Sequence, residues 1–296
     1  MKGTLIRLHT AVFLWGFTGV LGRAISLQEG WLVWWRMLIA TVGLWLMLYF
    51  FKSITKISWK DFLKVSAVGT LLALHWLTFY GSIKYANVSI ALTCLSTTGL
   101  LSAIIEPLFF RRRINIYEFI LGLFALGGIA LIYATNLSFS TGIYIGLISA
   151  VLTVLVSVMN KKLVSGYKPQ TLMLYQLTGG FLGLTLLLPL YDFFFPAQQK
   201  IPQGYDWLWL LILSFFCTIL TFILYINALR QVSAFTVNLT LTLEPVYGII
   251  LAFIFFHEDK TLSKYFFWGF GLILIAVFLQ MFTLVKQYRK LLVNTL

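Results

Sequence analysis

Two carboxylates stand directly before prolines inside apolar runs, Glu106-Pro107 in "SAIIEPLFFRRR" (102–113) and Glu244-Pro245 in "LTLEPVYGII" (241–250). An acid among apolar neighbours is costly as a bare anion, which makes it a candidate to bind a proton or to pair with a cation. Proline removes an N–H and crowds a carbonyl one turn back, so Pro245 is expected to kink its helix and free the Leu241 carbonyl beside the acid. Tyr247 shares a helical face with Glu244 at i,i+3, where a phenol can hold the acid's proton or a substrate amine. Asn238, six residues before Glu244, joins that face only if the kink turns it there. The complementary charge is Arg36, in "WWRMLIA" (34–40), and the aromatic and polar residues deep in other runs are Trp15, His75, Trp76, Tyr80 and Gln176.

What must position these residues is a membrane fold. The chain has 296 residues, 60% apolar and 10% charged, too little polar surface to cover a soluble core. Apolar runs of roughly 20 residues, long enough to cross ~30 Å of hydrocarbon, recur between short charged gaps. Their limits predict ten spans near 5–25, 31–51, 63–83, 88–110, 117–135, 141–160, 170–191, 207–229, 234–256 and 265–285. The fifth and sixth are divided only by the turn-like "ATNLSFSTG" (134–142). The basic N-terminal stretch is read as the first helix, because its apolar run is too long for a signal peptide and no small-residue cleavage site follows.

The net charge of +13 reads as topology, not as a nucleic-acid footprint, because the basic residues fall between the spans. With the N-terminus in the cytoplasm, sixteen of the twenty-two Lys and Arg fall on that side, among them Arg111, Arg112, Arg113, Lys161 and Lys162. Ten spans with both termini cytoplasmic fit the positive-inside rule, and the expected location is the bacterial cytoplasmic membrane, crossed many times. Cys94 and Cys217 both lie in apolar runs and read as packing residues.

Five spans per half invert a duplicated second half relative to the first, which sets repeats at 1–137 and 138–296. "FYGSIKYANVSIALTCLST" (79–97) resembles "LYINALRQVSAFTVNLTLT" (224–242), and "WWRMLIA" aligns with "LYQLTGG" (174–180), setting Arg36 opposite Gln176. The expected fold is an all-α polytopic membrane protein of two inverted five-helix repeats. Sites in such folds lie near the midplane, where the repeats meet.

Depth separates the candidates. Glu244 is one residue from its span's centre, whereas Glu106 is seven residues past its own, ~10 Å toward the cytoplasm. Glu244 therefore reads as a substrate or proton site, with a packing acid as the alternative. Glu106 and Pro107 read as a gate or as an anchor to a cytoplasmic cation. Arg36 either snorkels to the outer headgroups, as the Trp31, Trp34 and Trp35 cluster suggests, or faces a watered cavity. Trp15 either walls that cavity or packs beside Gly16, Gly19 and Gly22, which let helices approach closely. His75 either relays protons or is a hydrogen-bonded packing group.

The stretches "AVFLWGFTGVLGRAI" (11–25) and "LTLEPVYGIILAFIFFHEDKTLSKYFFWGFGLILIAVFL" (241–279), with Arg36 early in the second span, resemble the EamA-type members of the drug/metabolite transporter superfamily. Pro245, Glu258, Gly269 and Gly271 fit the family's final segment, while the first repeat departs from it, having Gly99-Leu100 where the proline is expected. The resemblance implies a ten-helix carrier of small metabolites, commonly an exporter, that works by alternating access, and it implies a basic residue at Arg36.

The leading expectation is a secondary transporter, with a small-molecule substrate, the lipid bilayer as its surroundings and protons as the candidate coupling ion. No cofactor is expected, and no phosphate-binding G-x-x-x-x-G-K-[ST] motif is present. A zwitterion such as an amino acid would be held by Arg36 at one end and Glu244 at the other, with Trp15 or Trp76 stacked on an aromatic part. The alternatives are a non-transporting receptor or assembly subunit and an intramembrane enzyme. The three histidines, His9, His75 and His257, show neither metal-ligand spacing nor a nucleophile–base pattern.

Overall fold

In hydrocarbon no water satisfies backbone amides, so apolar runs of this length resolve into helices. The computed structural model describes residues 2–111, 113, 116–135, 137–163, 166–229 and 243–294, and every regular element among them is helical. The first half contains α1 (Lys2–Ala24), α2 (Glu29–Phe50), α3 (Trp59–Tyr85), α4 (Val88–Ser96), α5 (Thr98–Phe110) and α6 (Ile116–Thr135). The second contains α7 (Ser140–Leu163), α8 (Pro169–Phe194), α9 (Asp206–Ser214), a π-helical segment (Phe215–Leu220), α10 (Thr221–Leu229), α11 (Glu244–Phe256) and α12 (Lys264–Asn294). Among the described residues six stretches are long and apolar enough to cross a membrane: Glu29–Phe50, Trp59–Tyr85, Val88–Phe110, Leu137–Leu163, Pro169–Phe194 and Asp206–Tyr225. Phe119–Thr135, Glu244–Phe256 and Lys264–Leu279 are shorter apolar helices. The turn expected at 134–142 holds the end of α6 and the start of α7, joined through a short 3-10 turn at Leu137–Phe139.

Local chemistry sets several boundaries. The Ser58 hydroxyl accepts the Asp61 amide at 3.2 Å to open α3, and the Asn87 side chain accepts the Ile90 amide at 2.8 Å to open α4. α5 and α11 are each 13 residues long, each follows a residue in right-handed helical conformation (Thr97, Leu243), and each ends on a left-handed one, Arg111 at φ 53° and His257 at φ 52°. Pro245 lies in the first turn of α11, where an amide has no intrahelical partner to lose. The described part of α11 begins at Glu244, and the expected kink, with the Leu241 carbonyl it would free, falls on residues outside the described ones.

Helix pairing is reciprocal between the halves. α3 packs on α7 and α8; in return the α9–α10 run packs on α1 and α2. α1 lies along α11 as α7 lies along α4 and α5, while α2 meets α8 and α6 meets α12. The tightest seam is α3 against α8, where a Cβ on Gly69 would stand 2.0 Å from the Gln176 carbonyl oxygen and one on Gly180 would stand 2.5 Å from that of Gly69. Only glycine lets the backbones meet there. The main core, including Leu32, Met37, Tyr80, Leu92 and Leu174, lies where α1, α2, α3, α4 and α8 converge.

Candidate functional site

Arg36 is the hub. It projects from α2 with only 3% of its surface exposed, and Trp76 and Tyr80, one turn apart on α3, meet it together. The guanidinium lies 3.8 Å over the Trp76 ring, and Nη1 donates to the Tyr80 hydroxyl at 2.6 Å. Nη2 and Nε donate to Thr218 Oγ1 at 3.0 and 3.4 Å. Thr218 belongs to the π-helical segment, whose wider turn lets its own hydroxyl donate to the Leu213 carbonyl five residues back, at 3.0 Å. The Ser214 hydroxyl donates to the Arg36 carbonyl at 3.2 Å, fixing α9 to α2. Tyr80 is in turn seated on Gly22, where an added Cβ would fall 2.2 Å from its ring.

This geometry replaces the snorkelling reading. The neighbouring tryptophans do anchor the amino-terminal end of α2: Trp31 donates to Asp192, Trp34 to Thr185 and Trp35 to the Lys200 carbonyl. Arg36, a further 100° round the helix, turns into the bundle instead. Among the described residues no carboxylate lies within ion-pair distance of it. Its three hydrogen bonds to described residues use three of the five guanidinium N–H groups, leaving one on each terminal nitrogen without a partner among those residues.

Glu244, half-buried at the start of α11, also has no ion pair among the described residues. Tyr247, one turn on, is edge-on to Phe13 at 5.7 Å and reaches His9 Nδ1 at 3.5 Å. Trp15 tilts against Tyr225 at 5.5 Å in an apolar group that includes Leu243 and Tyr247. These residues are gathered by the close approach of α1 to α11, where a Cβ on Gly16 would stand 3.0 Å from the Gly248 amide. The packing role expected of Gly16 is thus met at the α1–α11 seam, beside the apolar group that holds Trp15 and Tyr247.

The other candidates point elsewhere. His75 Nδ1 faces the Ser149 and Thr153 hydroxyls of α7 at 2.9 and 2.8 Å, so it ties α3 to α7. Gln176 donates to the Asn160 side chain across α8 and α7, apart from the Arg36 hydrogen bonds. Glu106 pairs with Lys161, one of the cytoplasmic cations foreseen for it, and Pro107 sits within α5. Asn238 lies outside the described residues.

Two groups escaped sequence reasoning. Thr218 is an ordinary threonine in an apolar run, and nothing in the sequence marks the π turn that aims it. Glu258, noted only as a family feature, is 1% exposed and accepts from Arg23 at 2.8 Å, the Val88 and Ser89 amides at 3.0 and 2.8 Å, and the Ser89 hydroxyl at 2.6 Å. The nearby Asn87-Val88-Ser89, a helix-opening pattern, was the available signal that an acceptor would be needed there. Among the described residues no three His, Cys, Asp or Glu side chains group as metal ligands.

Comparison with known proteins agrees with this architecture. The chain is 25% identical over 260 residues to the uncharacterized transporter YxxF of Bacillus subtilis (strain 168), covering 85% of this chain and 81% of that protein. A solved crystal structure superposes with a TM-score of 0.61 at 16% identity, over 93% of this chain and 95% of that one, a likeness of fold alone. The EamA-like transporter family matches twice, over residues 4–134 and 140–282. The chain belongs to the EamA-like transporter family and is a multi-pass membrane transporter.

Proposed function

We propose that this transporter exports a small zwitterionic metabolite of amino-acid type across the bacterial cytoplasmic membrane by alternating access, and that Glu244 couples the movement to protons. The carrying observation is Arg36: a buried cation with no carboxylate partner among the described residues, sandwiched by Trp76, Tyr80 and Thr218, with an N–H group on each terminal nitrogen that no described residue accepts. A substrate carboxylate completes that set as a forked, charge-assisted pair. The substrate's ammonium then faces Glu244, and Trp15 and Tyr247 wall an apolar side chain. A carboxyl that exchanges an ammonium for a proton links the two fluxes.

The topology we propose has ten spans, both termini in the cytoplasm and inverted repeats over 1–137 and 138–296. The reciprocal helix pairing, the matched α5 and α11 and the alternation of basic residues support it. The test is flux in proteoliposomes against a panel of amino acids, amines and carboxylic acids. Zwitterions are expected to be carried, with Arg36→Gln abolishing the flux. Carriage of simple amines undiminished by Arg36→Gln refutes the assignment, and absence of any flux favours a receptor or assembly role.

A further inference from the structure

The first helix of each half packs along the fourth span of the other, α1 on α11 and α7 on α4 and α5. Each of these two seams finishes in an ion pair. Arg23, next to last in α1, meets Glu258, two residues past α11. Lys161, near the end of α7, meets Glu106, near the end of α5. Ser89, which binds Glu258, and Glu106 are 17 residues apart along one span, ~25 Å by helical rise. The two pairs therefore stand at opposite ends of the bundle.

They are unequally made. The Glu258 side chain is 2% exposed and fills the amino end of α4 with two backbone amides, a hydroxyl and a guanidinium, where helix dipole and charge both favour an anion. The same end is tied by Lys84 to the Ile25 carbonyl at 2.5 Å and by the Ser26 amide and hydroxyl to Asp206 at 2.8 and 2.5 Å. At the other end Lys161 is 56% and Glu106 33% exposed, the setting in which an ion pair holds weakly.

Building on the alternating-access reading above, we infer that these two ion pairs are reciprocal gates. Arg23–Glu258 holds the outer end shut in this conformation, and Glu106–Lys161 is the gate poised to part. The span made of α4 and α5 carries a contact to each, and it is interrupted between them at Thr97. A tilt of that span that frees one gate leaves the other closed.

Full-length protein in proteoliposomes, with Cys94 and Cys217 replaced by alanine, tests this with two single-cysteine reporters. Thr93→Cys lies one turn inward of Ser89 and Ala103→Cys about one turn inward of Glu106, and both positions are buried. A membrane-impermeant maleimide is applied from each face. Arg23→Gln, which leaves the Glu258 bonds to α4 intact, and Glu258→Gln are expected to raise labelling at position 93 from the outer face and to lower labelling at 103 from the inner face. Glu106→Gln is expected to do the reverse, each by about fivefold or more, the scale of a typical coupling between sites. Reporters that move in the same direction in Arg23→Gln and Glu106→Gln, or that do not move, overturn the gates. If Glu258→Gln does not fold, Arg23→Gln alone decides for the outer end. Flux with unmoved reporters refutes the gates and spares the transport reading; opposed reporters without flux for any panel compound do the converse.

Discussion

A guanidinium stacked on an indole and held at its edge by two hydroxyls has its orientation fixed before any ligand arrives, so little side-chain entropy is left to lose on binding. Lysine keeps the charge but cannot cover the Trp76 face while donating to Tyr80 and Thr218 together. Arg36→Lys is therefore expected to behave almost as Arg36→Gln does. Both should lower substrate flux by about tenfold or more, the scale of losing hydrogen bonds to a charged group, with little change in melting temperature for Arg36→Lys. Full activity in Arg36→Lys would reduce Arg36 to a bare charge. Glu244→Gln makes the second residue-scale prediction: the protein folds, and initial rates measured across pH lose their dependence on an imposed proton gradient. A gradient-driven flux unchanged in Glu244→Gln would remove the coupling role. The sequence exposed these residues unevenly. Trp76 and Tyr80 are visible as an i,i+4 pair and Arg36 as a lone charge in an apolar run. Its direction was not visible, because tryptophans beside it fit an interfacial anchor as well as a cavity wall. Thr218 was hidden altogether, since it gains its role from a widened helical turn.

Helices raise a different question, namely what each irregularity is for. Hydropathy located the helical runs well, because charge and apolar length are the property that fixes them. It was blind to the interruption at Thr97 and to the π segment at Phe215–Leu220, neither of which changes composition. Pro245, in the first turn of the described α11, either opens a helix or bends a longer one. The two readings predict opposite signs. Alanine at a kinking proline restores a backbone hydrogen bond and stabilises, whereas alanine at a helix-opening proline loses only the stiffness of the unfolded chain, about 0.4–1 kcal/mol. Thermal unfolding of Pro245→Ala in detergent is expected to show a small fall in melting temperature, and a rise would restore the kink. Gly22→Ala tests how α1 seats the site. Its Cβ falls 2.2 Å from the Tyr80 ring, so the ring must move, with an overpacking cost of about 1–3 kcal/mol. Flux should fall as well, because Tyr80 is bonded to Arg36. Gly122→Ala, with no atom within 4 Å of the added Cβ, is the matched control, expected to be neutral or slightly stabilising.

For the molecule as a whole, the proposed inverted arrangement makes a topological demand that no single helix makes. Half-sites contributed by two copies of one unit can face a common midplane from opposite sides only if an odd number of spans separates equivalent points. α8 links the two ends directly: Lys161 precedes its start and Lys200 follows its finish. Its 26 residues extend ~39 Å, more than the ~30 Å of hydrocarbon to be crossed. Lys161 pairs with Glu106, at the end where the basic residues concentrate, whereas Lys200 pairs with Asp192 and caps the tryptophan-lined end of α2. Single cysteines at 161 and 200 are therefore expected to react with an impermeant reagent from opposite faces of an oriented vesicle, with 161 on the face shared by both chain ends. Reaction of both from one face would remove the proposed inverted repeats, and with them the proposed midplane meeting of Arg36 and Glu244. Opposite faces with the chain ends also divided would leave that meeting intact but would require an odd total of spans, one fewer or one more than ten.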